Sequence, residues 1–178
     1  MILKIDKNQL SQIDIKCLEI AIKEAQKSFY LGSYPVGSVL LLNETEIFSA
    51  GNTAQIKNNL FFHAENSLIE KYGSKMYECF KNKQSIKLYS TLEPCLMCLG
   101  AAIMNKVNEI FFVQHDPHAG ACNIDIKALG IRYSENMPII KHVAYSDIPY
   151  KLLIEFFNSE ISKGNPWGKK MLEIYEKS

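Results

Sequence analysis

The spacing of apolar side chains divides the chain into helix-like and strand-like stretches. Ile15, Leu18, Ile22, Ala25 and Phe29 recur at alternating steps of three and four, which lines one face of a helix. Just ahead, Ser11-Gln-Ile-Asp14 resembles a capping box with Asp in place of the usual Glu, and Gly32 supplies a stop. Val36 to Leu42 is a continuous apolar run, Asn43-Glu44 reads as a turn, and Glu46 to Ala50 returns as a second strand, which together predict an antiparallel hairpin. Gly51 to Asn59 is polar and reads as loop. Helical spacing resumes at His63 with Ala64, Leu68 and Tyr72, whereas Gly73 to Gln84 reads as a polar, lysine-rich connection. Ile86 to Thr91 predicts a strand that runs into Leu92-Glu93-Pro94, and Cys95 to Asn105 a helix with Pro94 in its first turn. Glu109 to Gln114 and Ile139 to Ala144 predict two more strands. Ile148, Leu152 and Phe156, interleaved with Leu153, Phe157 and Ile161, outline an amphipathic helix. Gly164-Asn165-Pro166 breaks it before a short basic one.

A hairpin followed by alternating helices and strands predicts an α/β fold whose mixed sheet is covered on both faces. The 178 residues favour a single domain over 1–178, with a C-terminal helical extension at about 164–178. A composition of 47% hydrophobic and 22% charged residues is ordinary for a globular protein and excludes a disordered or fibrous class. The net charge of +1 advertises no strong field for a nucleic-acid partner. No run approaches the ~18 apolar residues of a membrane span. Lys4 and Asp6 interrupt the opening in a way that does not match a signal peptide, so the expected location is cytoplasmic. Five cysteines is an odd count, and only Cys95 and Cys98 are close, so reduced thiols are expected in place of a disulfide scaffold.

The chemistry concentrates in two short motifs, His63-Ala-Glu65 and Pro94-Cys-Leu-Met-Cys98. A Cys-x-x-Cys pair admits three readings: a redox couple, half of a structural zinc site completed by His115 and His118, or part of a catalytic zinc site. The redox reading gives His-Ala-Glu no role, and the spacing of His115 and His118 fits common zinc folds poorly. The catalytic reading uses both motifs. His63, Cys95 and Cys98 would hold a zinc ion with one coordination position free, and Glu65 would move protons beside it. Each motif falls at the N-terminal end of a predicted helix, so two such ends meeting at a sheet edge would bring the three ligands together.

These motifs resemble the zinc-dependent cytidine/deoxycytidylate deaminase superfamily. The resemblance runs from Tyr34-Pro-Val-Gly-Ser-Val to the helix ending near Ile161. The string Leu88-Tyr-Ser-Thr-Leu-Glu-Pro-Cys-Leu-Met-Cys-Leu-Gly-Ala is most similar to the branch holding tRNA adenosine deaminases and guanine deaminases. The resemblance implies a three-layer α/β/α sandwich around a mixed, roughly five-stranded sheet, with one Zn2+ per subunit on His63, Cys95 and Cys98. It implies Glu65 as the catalytic proton carrier, with Asn52 and the backbone near Ala64 holding the base and Asp116 near the substrate. Asn52 also fits a left-handed turn residue, and Asp116 an ordinary Asp-Pro turn. The implied reaction is hydrolytic deamination of a nucleobase with release of ammonia. A purine type is favoured: free guanine or a related base or nucleoside, or adenosine in tRNA. A cytosine- or cytidine-type deaminase and a catalytically silent, zinc-containing ligand-binding homologue are the alternatives. A homodimer is implied as well. Asn59-Leu-Phe-Phe62 stands where the purine branch carries a small polar and proline-containing run, so Phe61 and Phe62 either stack on a base or join the core. Trp167 either closes over the site or anchors the last helix.

Overall fold

The computed structural model describes residues 2–177. Its six strands are β1 (Ile2–Asp6), β2 (Gly37–Leu42), β3 (Glu46–Gly51), β4 (Ile86–Leu92), β5 (Glu109–Gln114) and β6 (Ile139–Ala144), in the spatial order β1-β6-β5-β4-β2-β3. β2 runs antiparallel to both β3 and β4, while β4, β5, β6 and β1 are mutually parallel. The sheet is mixed, with one strand beyond the roughly five expected. That strand is β1, an edge strand on which only Ile2 and Ile5 are part-buried. Lys4 and Asp6 put charges on this edge strand, which guards against further pairing and leaves no apolar alternation in the sequence to mark it.

The hairpin turns where expected. Asn43 and Glu44 adopt φ of 50° and 60°, the left-handed pair that matches the twist of the flanking strands. The helices are α1 (Gln12–Tyr30), α2 (Ala54–Lys57), α3 (Ala64–Lys81), α4 (Leu96–Met104), α5 (Ile131–Ser134), α6 (Ile148–Ser162) and α7 (Pro166–Tyr175). The box opening α1 is formed in both directions. Ser11 Oγ accepts the Asp14 N–H at 3.2 Å, and the Asp14 carboxylate accepts the Ser11 N–H at 2.9 Å. Two boundaries are corrected. Gly73 to Gln84 is not a connection, because α3 continues to Lys81 with Met76 and Cys79 buried beneath it. The apolar stripe outweighs the helix penalty of Gly73, and the lysines are simply its solvent face. Pro94 stands ahead of α4, whose N-cap is Cys95.

Alternation along the strands builds two cores. Val39 and Leu41 of β2, with Tyr89 and Phe111, pack against Cys17, Leu18 and Ala21 of α1. Leu40 and Leu42, with Leu88, Ile110 and Phe112, pack against α3 and α4 on the other face. The result is the three-layer α/β/α arrangement. Gly37 lets α1 lie directly on the hairpin, since a Cβ there would stand 2.1 Å from the Ala21 carbonyl oxygen. A third cluster forms where β2 begins and β4 ends. There Val36, Ala64 and Leu92 meet Leu153, Phe156 and Phe157 of α6 and Met171 and Tyr175 of α7. No helix among the described residues is long and apolar enough to cross a membrane.

Candidate metal centre and pocket

β4 delivers its chain end to the same place as the start of α3. His63 and Cys95 occupy equivalent positions, each the extended residue immediately before a helix, with φ/ψ of −65°/156° and −71°/170°. This geometry turns both side chains toward the helix entrance, and one turn on, Cys98 reaches the same point. His63 Nδ1 lies 3.6 Å from the Cys95 sulfur and 3.6 Å from the Cys98 sulfur. The three donor atoms are all within 4.8 Å of one another. Zinc bonds of about 2.3 Å to sulfur and about 2.0 Å to nitrogen, at a tetrahedral angle, separate the two donors by roughly 3.5 Å. The donor set therefore fits zinc in identity and in spacing. Among the described residues the cluster stops at three donors, the number found in catalytic sites that keep a position open. The thiol pair is polarised already. The Cys98 S–H and the His63 ring hold Cys95 down to about 4 against the opposing effect of burial, and the same bond to Cys95, with burial, pushes the Cys98 thiol up.

Glu65 is 3% exposed and sits against this cluster, with the Cys98 sulfur 3.6 Å from its Oε2. Ser90 Oγ donates to its Oε1 at 3.1 Å, and Ser38 Oγ donates in turn to Ser90 at 3.2 Å. Burial pushes the Glu65 carboxyl above the usual carboxylate range, only partly opposed by its own backbone N–H and by His63. Ala64 is buried at the first position of α3, where the backbone N–H has no intrahelical partner.

His63, Glu65 and Cys95 line one cavity of about 590 Å³, and Asn52 and Asp116 line it too. Asn52 is not a left-handed turn residue; in this stretch Asn58 takes that conformation, with φ of 47°. Its side chain is 3% exposed, and its carboxamide oxygen accepts from Ser33 Oγ at 3.1 Å and from the Ala54 N–H at 3.0 Å. Asp116 lines the cavity and also closes a turn. Its Oδ1 closes a turn on the His118 and Ala119 N–H groups and also accepts from the Tyr175 hydroxyl at 3.0 Å, so α7 is tied to this loop.

His115 is not drawn to the metal cluster. Its Nδ1 is bonded to the buried Glu93 carboxylate, which also accepts the N–H of Asp116 at 3.3 Å and of Cys122 at 2.9 Å. Glu93 thus pins the loop after β5 against the site, and Gly120 makes room for it, since a Cβ there would stand 2.5 Å from the carboxyl carbon. His118 lines the cavity without joining the donors. Neither Phe61 nor Phe62 lines the cavity. They pack edge-on to each other at 5.6 Å, Phe61 is 44% exposed, and Lys57 covers the Phe62 ring. Leu60 takes the place at the cavity wall. Trp167 both lines the cavity and anchors α7, edge-on to Tyr34 and Phe157. Ser33, Gln55, Ser90, Glu93 and Tyr175 were not singled out from the sequence. Ser90 alone carried a signal, as a hydroxyl between Leu88 and Leu92 on one face of β4.

The profile described as "Cytidine and deoxycytidylate deaminase zinc-binding region" matches residues 11–114, which hold both motifs. The chain belongs to this deaminase family. A tRNA-specific adenosine deaminase of Rickettsia felis is 30% identical over 142 residues, covering 79% of this chain and 97% of the relative. A tRNA-specific adenosine deaminase of Bacillus subtilis is 36% identical over 100 residues, 56% of this chain and 61% of the relative, so the match spans less than two thirds of that protein. A solved structure from work on A-to-I editing by tRNA:A34 deaminases shares the fold with a TM-score of 0.58 at 23% identity, covering 74% of this chain and 98% of the other. A guanine deaminase of Nitrosomonas europaea does so with a TM-score of 0.55 at 14% identity, covering 79% and 82%. The family is zinc-binding, and His63, Cys95 and Cys98 form a cluster that suits one zinc ion.

Proposed function

We propose that the chain is a zinc-dependent hydrolytic deaminase of a purine-type base. The observation that carries this reading is the three-donor cluster at zinc spacing, with a buried carboxylate beside it and a cavity of about 590 Å³ in front. His63, Cys95 and Cys98 hold the metal, which when bound supplies Lewis acidity that activates water at neutral pH. Glu65 takes a proton from the attacking water and passes protons to the ring nitrogen and to the departing amine. The water oxygen ends as the ring carbonyl, and ammonia leaves. Ser90 fixes the Glu65 carboxyl through Oε1, so that Oε2 faces the cluster. Burial makes that carboxyl easier to protonate than an ordinary one, which suits a group that must carry a proton between two steps. The Asn52 NH2 has no acceptor among the described residues, and its partners on the oxygen side fix it as a donor for the base.

A small base or nucleoside is favoured by the cavity wall: Glu160 and Asp116 place carboxylates there, and α7 contributes Trp167. Adenosine in tRNA is the second reading, favoured by the Rickettsia felis relative. Ammonia release from guanine, adenine, cytosine, their nucleosides and tRNA tests both. Turnover of guanine or a related small purine is the expected result, and activity on cytosine-type substrates alone would overturn the purine assignment. The chain is also proposed to act as a homodimer, supported by exposed Leu96 and Tyr133, which line an apolar concavity of about 250 Å³. Light scattering after size exclusion would read twice the 20.3 kDa chain mass.

A further inference from the structure

Asn52 is not the only carboxamide on the cavity wall. Gln55, three residues on at α2, lines the same cavity. Its Oε1 accepts the Tyr34 backbone N–H at 3.1 Å and the Ser33 hydroxyl at 2.8 Å. Ser33 is fully buried, and its hydroxyl also reaches the Asn52 oxygen at 3.1 Å. One hydroxyl hydrogen therefore serves two carbonyl oxygens, each of which keeps a backbone N–H as its second donor. A backbone N–H can only donate, so it fixes which end of each amide is oxygen and which is nitrogen. Both NH2 groups are turned away from Ser33, and neither has an acceptor among the described residues.

We propose that Gln55 is a specificity residue that acts with Asn52 as a pair of donors reading two acceptors on the base, with Ser33 as the positioning residue behind both. Two neighbouring donors match a ring edge that carries two neighbouring acceptors. Among purines that edge is the O6/N7 side of a 6-oxopurine, and it lies across the ring from an amine at C2. A 6-aminopurine presents a donor at position 6 and cannot satisfy both amides. Asn52 is buried, so its donor left without an acceptor costs more than a lost contact, whereas the exposed Gln55 adds to the selectivity through the bond it makes or loses. The inference deepens the purine reading and rests on it: it names 6-oxopurines carrying a C2 amine as the substrate class.

The test uses binding, so that it does not depend on turnover. Trp167 is the one tryptophan of the chain and lines the cavity, which makes its fluorescence a reporter of occupancy. Hypoxanthine keeps the O6/N7 edge but has no amine to lose, and unsubstituted purine lacks O6. The wild type should bind hypoxanthine at least about tenfold more tightly than purine, a difference of about 1.4 kcal/mol. Gln55→Glu keeps the oxygen that Ser33 and Tyr34 grip and replaces the outward donor by an acceptor. It should reduce that preference by weakening hypoxanthine more than purine, at an unchanged melting temperature. It should also raise KM for guanine much more than it lowers kcat. Ser33→Ala should reduce the preference severalfold. Equal effects of Gln55→Glu on both ligands, no effect on either, or a wild type that does not prefer hypoxanthine would overturn the inference. A wild type that prefers hypoxanthine through Gln55 yet releases no ammonia from guanine would sink the proposed reaction and leave the reader standing.

Discussion

Tyr89 and Ser90 are neighbours on β4 whose side chains leave opposite faces of the sheet, and each ends on a buried acid. On the α1 face, the Tyr89 hydroxyl donates to Asp14 at 2.6 Å; on the α3 face, the Ser90 hydroxyl donates to Glu65 at 3.1 Å. Burial pushes both carboxyls up. At Asp14 it is outweighed by hydrogen bonds from Ser11 and Tyr89, so this acid is held below the usual carboxylate range. At Glu65 burial prevails and the acid is held above it. The difference lies in the depth of burial and in the strength of the donors. Asp14 receives the Ser11 N–H, the Ser11 hydroxyl and the Tyr89 hydroxyl, whereas the more deeply buried Glu65 has its own backbone N–H, the Ser90 hydroxyl and a long contact from Cys98. A saturated carboxylate is a staple; an under-solvated one is free to trade its proton.

The strongest way to break this contrast is at the acids themselves. Glu65→Gln removes proton transfer and should lower kcat by about 10²–10⁴-fold. Its melting temperature should match or exceed that of the wild type, because a buried charge has been replaced by a neutral side chain of the same shape. Asp14→Ala should do the reverse. Denaturant titration should register a loss of about 2–3 kcal/mol, as expected for hydrogen bonds to an ionised group, with kcat per folded molecule unchanged.

The adjacent residues sharpen the comparison with smaller effects. Tyr89→Phe should cost about 1–2 kcal/mol of stability and leave turnover alone. Ser90→Ala should lower kcat about fivefold, ~1 kcal/mol, and leave stability nearly unchanged. A shared loss of stability in both variants would erase the distinction between the two faces. The smallest effect is in pH. The folded pKa of Asp14 lies below its unfolded value of about 3.9, so its stabilisation is fully present above that value and lost as pH falls through the folded one. The deficit of Asp14→Ala should therefore hold steady at neutral pH and shrink in acid, and a deficit that grows on acidification would contradict the assignment.

The sequence was legible where one residue type allows one outcome. Ser11 and Asp14 announced α1, Asn43-Glu44 announced the hairpin, and the spacing of His63, Cys95 and Cys98 announced a cluster that tertiary folding then assembled. It was misleading where local polarity hid a longer period. The lysines after Gly73 masked the buried Met76 and Cys79, and the charges of β1 masked a sheet edge. It was silent on contacts that depend on distant segments meeting. Nothing near Tyr175 marks it as the partner of Asp116, 59 residues away, and nothing near Gln55 marks Ser33 and Tyr34 behind it. His115 looked available as a ligand until Glu93 was seen to hold it.

Zinc stoichiometry of the Glu65→Gln chain, read by native mass spectrometry beside the wild type, tests most directly whether three donors and one separate acid make this centre. One zinc per chain in both proteins is the predicted result. A variant that comes off the column without its metal would make Glu65 a ligand, fill the position left for water and contradict the account.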